Sequence, residues 1–102
     1  MNKIYAVVYN AYEFDDLCYG DPGLKFLSFE KDKCIEKFNT WKAEEIEKLN
    51  NALLLNKEWL EKHPEFKEDY QIVTNTNDVF EMYCGNWCYY YALIEYELNK
   101  VL

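Results

Sequence analysis

Four cysteines, one histidine and one serine are the residues of this chain that could serve as nucleophile or soft metal ligand. Cys84-Gly85-Asn86-Trp87-Cys88 sets two thiols at a C-x3-C spacing, while Cys18 and Cys34 stand alone. Structural zinc sites pair two such knuckles, or one knuckle with two histidines, and His63 is the only imidazole available. No metal is therefore expected, and the thiols read as inert and partly buried. Ser28 lacks the flanking glycines of a nucleophile elbow, and three glycines in all leave no phosphate-cradling loop. A dyad of His63 with a cysteine stays open, but no spacing favours it. His63 precedes Pro64, where a helix should end, and there it would meet the last helical carbonyls. The expectation is a protein that is not an enzyme, with no catalytic residue and no cofactor.

Two features point to binding instead. Glu13, Asp15, Asp16 and Asp21 form an acidic stretch that meets no lysine until Lys25, and the spacing of a calcium loop is absent from it. Such a stretch can mimic phosphates and face a lysine- and arginine-lined surface. A second acidic group, Glu58, Glu61, Glu65, Glu68 and Asp69, is diluted by Lys57, Lys62 and Lys67. The other feature is the aromatic run Trp87, Tyr89, Tyr90 and Tyr91. Strand side chains alternate, so Trp87, Tyr89 and Tyr91 share a face that must be covered by helices, by a second subunit or by a target. Tyr and Trp concentrate binding energy because they combine large area with a polar handle. The expected partner-binding set is Glu13, Asp15, Asp16, Asp21, Trp87, Tyr89 and Tyr91. A homodimer through the aromatic hairpin is the alternative covering.

The composition limits who that partner is. The chain has 102 residues, read as a single domain spanning 1–102; 50% are hydrophobic and 19% aromatic, which excludes intrinsic disorder. The formal charge is −8, and every basic side chain but the histidine is a lysine. Without arginine forks and with an acidic excess, direct binding to nucleic acid or an anionic membrane is disfavoured. A basic protein surface fits this field. No apolar run approaches a membrane span. Met1-Asn2-Lys3 runs straight into a strand-like segment, so the expected location is the cytoplasm, with reduced thiols.

The elements that must position these residues follow from local pattern. Lys3-Ile4-Tyr5-Ala6-Val7-Val8-Tyr9 is β-branched and aromatic, and reads as an interior strand. Asp21-Pro22-Gly23 marks a turn into a second strand over 24–29, giving a hairpin with an acidic tip. Ser28 or Asp32 can cap a helix starting near Glu30. Its apolar stripe is Ile35, Phe38, Trp41, Ile46, Leu49 and Leu53, while Lys42, Glu44, Glu45 and Lys48 belong to its polar side. One helix running to His63 would be about 50 Å long, so an interruption is expected at Asn50-Asn51. A short second helix then carries Leu53, Leu54, Leu55, Trp59 and Leu60, ended by Pro64. Strands over 70–74, 79–83 and 87–98 close the chain, with Gly85-Asn86 as a tight turn. The fold class is α+β: a mostly antiparallel sheet, β-β-α-(α)-β-β-β, with one main amphipathic helix and a short second one on one face.

Several segments carry a resemblance. Lys3-Ile4-Tyr5-Ala6-Val7, Tyr12-Glu13-Phe14-Asp15-Asp16, Phe29-Glu30-Lys31-Asp32-Lys33, Phe80-Glu81-Met82-Tyr83 with Gly85, and Ile94-Glu95-Tyr96-Glu97-Leu98 together resemble a diffuse group of small proteins of bacteriophages and low-GC bacteria. Members run from a strand through an amphipathic helix to a closing hairpin ending in an acidic-aromatic strand, and have no assigned catalysis. The resemblance implies a fold and a genomic setting. Combined with the charge, it leads to the expectation of a phage or mobile-element inhibitor of a bacterial defence nuclease, anti-CRISPR-like, that blocks a basic nucleic-acid-binding surface. An immunity protein neutralising a cognate toxin, and a protein sequestering a nucleotide signal, are the alternatives.

Overall fold

The computed structural model describes residues 3–13 and 23–98. Five strands form one antiparallel sheet: β1 (Lys3–Glu13), β2 (Gly23–Ser28), β3 (Tyr70–Asn75), β4 (Val79–Cys84) and β5 (Trp87–Glu97). Between β2 and β3 come α1 (Lys31–Leu55), α2 (Lys57–Lys62) and a 3-10 turn over Pro64–Asp69. The strand order is β2-β1-β5-β4-β3, so the first and last strands pair along their whole length, Lys3 opposite Glu97 through Glu13 opposite Trp87. This is the α+β architecture expected from the pattern. The β1–β2 connection, with Asp15, Asp16, Cys18 and Asp21, lies outside the described residues.

Alternation decides what each side chain meets. Val7, Tyr9, Phe26, Phe80, Met82, Tyr89, Tyr91 and Leu93 point to the α1 side and build the core with Cys34, Phe38 and Leu49. Ala6, Cys88 and Ala92 are buried on the opposite side: Cys88 lies opposite Tyr12 and Tyr83, Ala92 opposite Val8 and Val79, and Ala6 opposite Leu27 and Ile94. Small residues set among larger cross-strand neighbours lose their solvent contact to them.

The helix differs from expectation in a way the topology explains. α1 passes unbroken through Asn50-Asn51 and ends at Leu55. It has to carry the chain from β2 at one edge of the sheet to β3 at the other, and it contacts all five strands on the way. Leu49 and Leu53 hold it down on either side of the two asparagines, which face outward. Packing of that stripe outweighs the modest backbone competition of two exposed asparagines. The break falls at Asn56, whose side-chain amide donates to the Ala52 carbonyl at 2.8 Å and whose φ and ψ of −103° and 14° leave the helix. Leu53, Leu54 and Leu55 therefore end α1 rather than open α2. The 3-10 turn, which Pro64 begins, has no periodic signature and was not foreseen.

Local chemistry fixes the remaining corners. No side chain caps α1, but the Ser28 hydroxyl accepts the Glu30 N–H at 3.0 Å just before it. In the β3–β4 turn, Thr76 Oγ1 accepts the Val79 N–H at 3.0 Å, and Lys42 Nζ from α1 donates to Asn75 Oδ1 and to the Thr76 carbonyl. Gly85 takes φ 66° at the first central position of the β4–β5 turn, the glycine-first arrangement of a type II′ hairpin. A Cβ there would also sit 3.4 Å from the Tyr70 hydroxyl.

Candidate functional site

The residues expected to bind a partner divide into three groups. Glu13 and Trp87 are brought together as a cross-strand pair at the end of β1 and β5, and both are exposed. Asp15, Asp16 and Asp21 lie outside the described residues. Tyr89 and Tyr91 go under α1. Tyr91 is 3% exposed, packed 4.9 Å from the Tyr9 ring and 6.4 Å from Trp41, and Tyr89 is half-buried. Of the three coverings left open for that face, the helix is the one that covers these two tyrosines. Tyr91 belongs to the core cluster beneath α1.

Exposed aromatic and apolar area is found at the far end of α1 instead. The helix is about 37 Å long, while five strands span only about 19 Å across their order. Its last turn therefore runs past its strand support, leaving Leu54 73% and Leu55 85% exposed. In the segment that follows, the His63 and Phe66 rings pack tilted against Trp59 at centroid distances of 4.8 and 5.0 Å, with Trp59 still 45% exposed. Glu58, Glu61 and Glu65 project from the same short segment, and Glu65 Oε1 lies 3.6 Å from His63 Nδ1. A groove of about 320 Å³ opens next to it, lined by Leu53, Lys57, Leu60, Glu61, Lys67 and Tyr70. The Gly85 N–H donates to the Asp69 carbonyl at 2.9 Å, which ties the β4–β5 turn to the end of the 3-10 turn. Trp87, two residues on, stands at this same end. Leu53-Leu54-Leu55 held a signal for this patch: three consecutive helical residues sweep about 200°, so one buried stripe cannot take all three.

Glu45 departs most from the polar role given by its position in sequence. It is 5% exposed, on the sheet side of α1. Lys48 Nζ holds Oε1 at 2.9 Å, while Oε2 is buried with no hydrogen-bond partner. The stripe Phe38, Trp41, Glu45, Leu49 keeps helical spacing straight through it, and that spacing was the available clue. The bond to Glu45 raises the Lys48 pKa above the ordinary lysine value. Burial pushes the Tyr91 hydroxyl up strongly, and the Glu45 charge adds to it.

The three described thiols, Cys34, Cys84 and Cys88, sit in settings that favour the protonated form. Cys84 pairs with Trp87 on the α1 side, whereas Cys88 pairs with Tyr83 on the opposite side, so the two ends of the C-x3-C segment point away from each other and cannot share an ion. Cys34, Cys84 and Cys88 are in no disulfide, and burial raises the pKa of each; at Cys84 the Lys48 charge works against that rise. Cys88 Sγ lies 3.9 Å from Glu81 Oε2 and bonds with Tyr12, whose hydroxyl is in turn driven up by this contact. A thiol held protonated beside a carboxylate is a poor nucleophile. In native protein, Cys84 should alkylate well before Cys34 and Cys88, which should react only with denaturant. Mass mapping of the labelled peptides checks the order, and fast native labelling of Cys88 would contradict it.

Among the described residues no group of three or more Cys, His, Asp or Glu is placed to hold a metal, and no helix is long and apolar enough to cross a membrane. No protein-family model, curated protein or solved structure matches the chain.

Proposed function

We propose that this chain is a small, acidic, non-catalytic binding protein that docks on a basic protein surface through the end built by α1, α2 and the 3-10 turn. The observation that carries this reading is the set of apolar side chains Leu54, Leu55, Trp59 and Phe66 exposed to water along this segment, interspersed with the exposed charges Glu58, Glu61 and Glu65 and Lys57, Lys62 and Lys67. Aromatic and aliphatic anchors set among charged side chains are how tight interfaces are organised. The net charge of −8 steers it towards a cationic partner. In its specific form, the protein is a phage or mobile-element inhibitor of a bacterial defence nuclease, occupying a lysine- and arginine-lined nucleic-acid cleft in the cytoplasm of the host. That form rests on the resemblance together with the charge.

The test compares three proteins on one resin: the wild type, the pair Leu55→Glu with Trp59→Ser, and the reversal Glu58→Lys, Glu61→Lys, Glu65→Lys. Lysate of a low-GC bacterial host is applied at low salt and eluted at about 0.5 M, where exposed charges are screened. The wild type is expected to retain a basic nucleic-acid-binding protein and release it at high salt. Each variant should retain it at least about tenfold less, roughly 1.4 kcal/mol of lost affinity. Equal retention by all three would rule out this end of the molecule as the docking surface.

A further inference from the structure

The sheet has two sides, and α1 covers one of them. The Cα atoms span only 16 Å in their thinnest direction, which is room for one sheet and one layer of helix. Register puts Ile4 and Val8 of β1, Leu27 of β2, Val79 of β4, and Tyr90 and Ile94 of β5 on the opposite side, where each is half-buried or exposed. Ala6 opposite Ile94 and Ala92 opposite Val8 leave hollows beside branched side chains at the centre of this face. Among the described strand residues Glu81 is the only charge there, in a chain whose net charge is −8. A sheet with one side in water normally alternates apolar inside with polar outside, and β1 and β5 do not.

From this geometry we infer that two copies of the chain pack sheet against sheet through this face. A basic partner, which the acidic field of the molecule attracts, finds almost nothing to pair with here. A second copy brings an equally uncharged face, and the charged helices of both copies stay outward. At a strand spacing of about 4.8 Å and a rise of about 3.3 Å per residue, the five strands present a face of about 600 Å². That is the upper end of what a monomer leaves bare in one apolar patch. Two such faces together bury about 1,200 Å² before side-chain relief is counted, which reaches the size of a specific interface. Facing sheets interdigitate their inward side chains, and the hollows at Ala6 and Ala92 accept the branched side chains of the other copy. The two-fold relation makes every such contact occur twice. This face is separate from the end built by α1, α2 and the 3-10 turn, so the dimer carries that docking end in duplicate.

Analytical ultracentrifugation of the full chain, with circular dichroism to confirm folding, provides the test. With a Kd of about 1 µM, the wild type at about 50 µM should sediment at twice the chain mass of 12.4 kDa. Raising the salt to about 0.5 M should leave the dimer intact or tighten it, because it screens the repulsion between two copies of charge −8. Docking on a basic partner responds to salt in the opposite sense, so the two readings fail separately. Ile94→Lys puts a charge at the centre of the face and should give a monomer at the same concentration. Leu27→Lys with Tyr96→Lys should weaken association at least about tenfold. Leu27 and Tyr96 are 49% and 46% exposed in the single chain, so this pair keeps its fold even where Ile94→Lys does not. Leu55→Glu with Trp59→Ser, at the far end of α1, should stay dimeric. A wild type that remains at 12.4 kDa up to about 200 µM, or a dimer that survives the folded face variants, would overturn the proposal.

Discussion

Replacing Phe38 by alanine is expected to remove about 3–5 kcal/mol of stability, enough to leave much of the protein unfolded near physiological temperature. Phe38 is fully buried where α1 lies over the sheet, in one cluster with Val7, Phe80, Met82 and Tyr91. It sits midway between Cys34 and Trp41 on the helix, so removing its ring opens a hole that neighbouring rings, already pinned to strands, cannot fill. Each kcal/mol is worth about 4–8 °C for a domain of this size, so the Tm should fall by at least about 12 °C. Phe38→Leu, which keeps most of the volume, should cost clearly less. Thermal unfolding followed by circular dichroism checks both. A Phe38→Ala protein that melts within a few degrees of the wild type would mean that α1 is not held to the sheet by this cluster.

The second large effect concerns Glu45 and Lys48, which should respond to mutation in opposite directions. Lys48→Met takes away the partner at 2.9 Å and leaves a carboxylate stranded under α1. Because Lys48 is itself half exposed, the attraction is partly screened, and a loss of about 1–3 kcal/mol is expected rather than the full value of a buried pair. Glu45→Leu removes both the desolvated carboxylate and its orphaned oxygen and fills the same space with carbon. It should be neutral or stabilising by about 1 kcal/mol. The pH dependence follows from the sign of the shift. The lysine pKa is raised in the folded protein by its bond to Glu45, so the pair stabilises fully below the ordinary lysine value of 10.5 and fades as pH climbs through the higher folded value. Between neutral pH and pH about 11, wild-type stability should therefore decline more steeply than that of either variant. Chemical denaturation across that range measures it. Equal destabilisation by Lys48→Met and Glu45→Leu would show that Glu45 is needed for its shape, not tolerated for its charge.

Much of the molecule was legible without coordinates, and the reason is locality. β-branched and aromatic runs, the glycine at the β4–β5 turn and the proline after His63 act through their immediate neighbours, so four of the strands fall within a residue or two of where the pattern put them, while β1 runs four residues past Tyr9 because it pairs with β5 as far as Glu13 opposite Trp87. The lack of arginine and the acidic excess are likewise read without a fold, and they set the expectation that direct nucleic-acid binding is disfavoured.

What the pattern left undecided all depends on contacts between distant residues. Asn50-Asn51 stays helical because a sheet lies beneath Leu49 and Leu53. Tyr91 is buried and Trp59 stands in water because α1 covers the middle of β5 and overruns the edge of the sheet. Glu45 is buried because its helix position faces the sheet. Residue type and spacing set which elements form, since those free energies are local. Which aromatic is core and which is surface is a property of the assembled layers, because burial is decided by whatever lands on top.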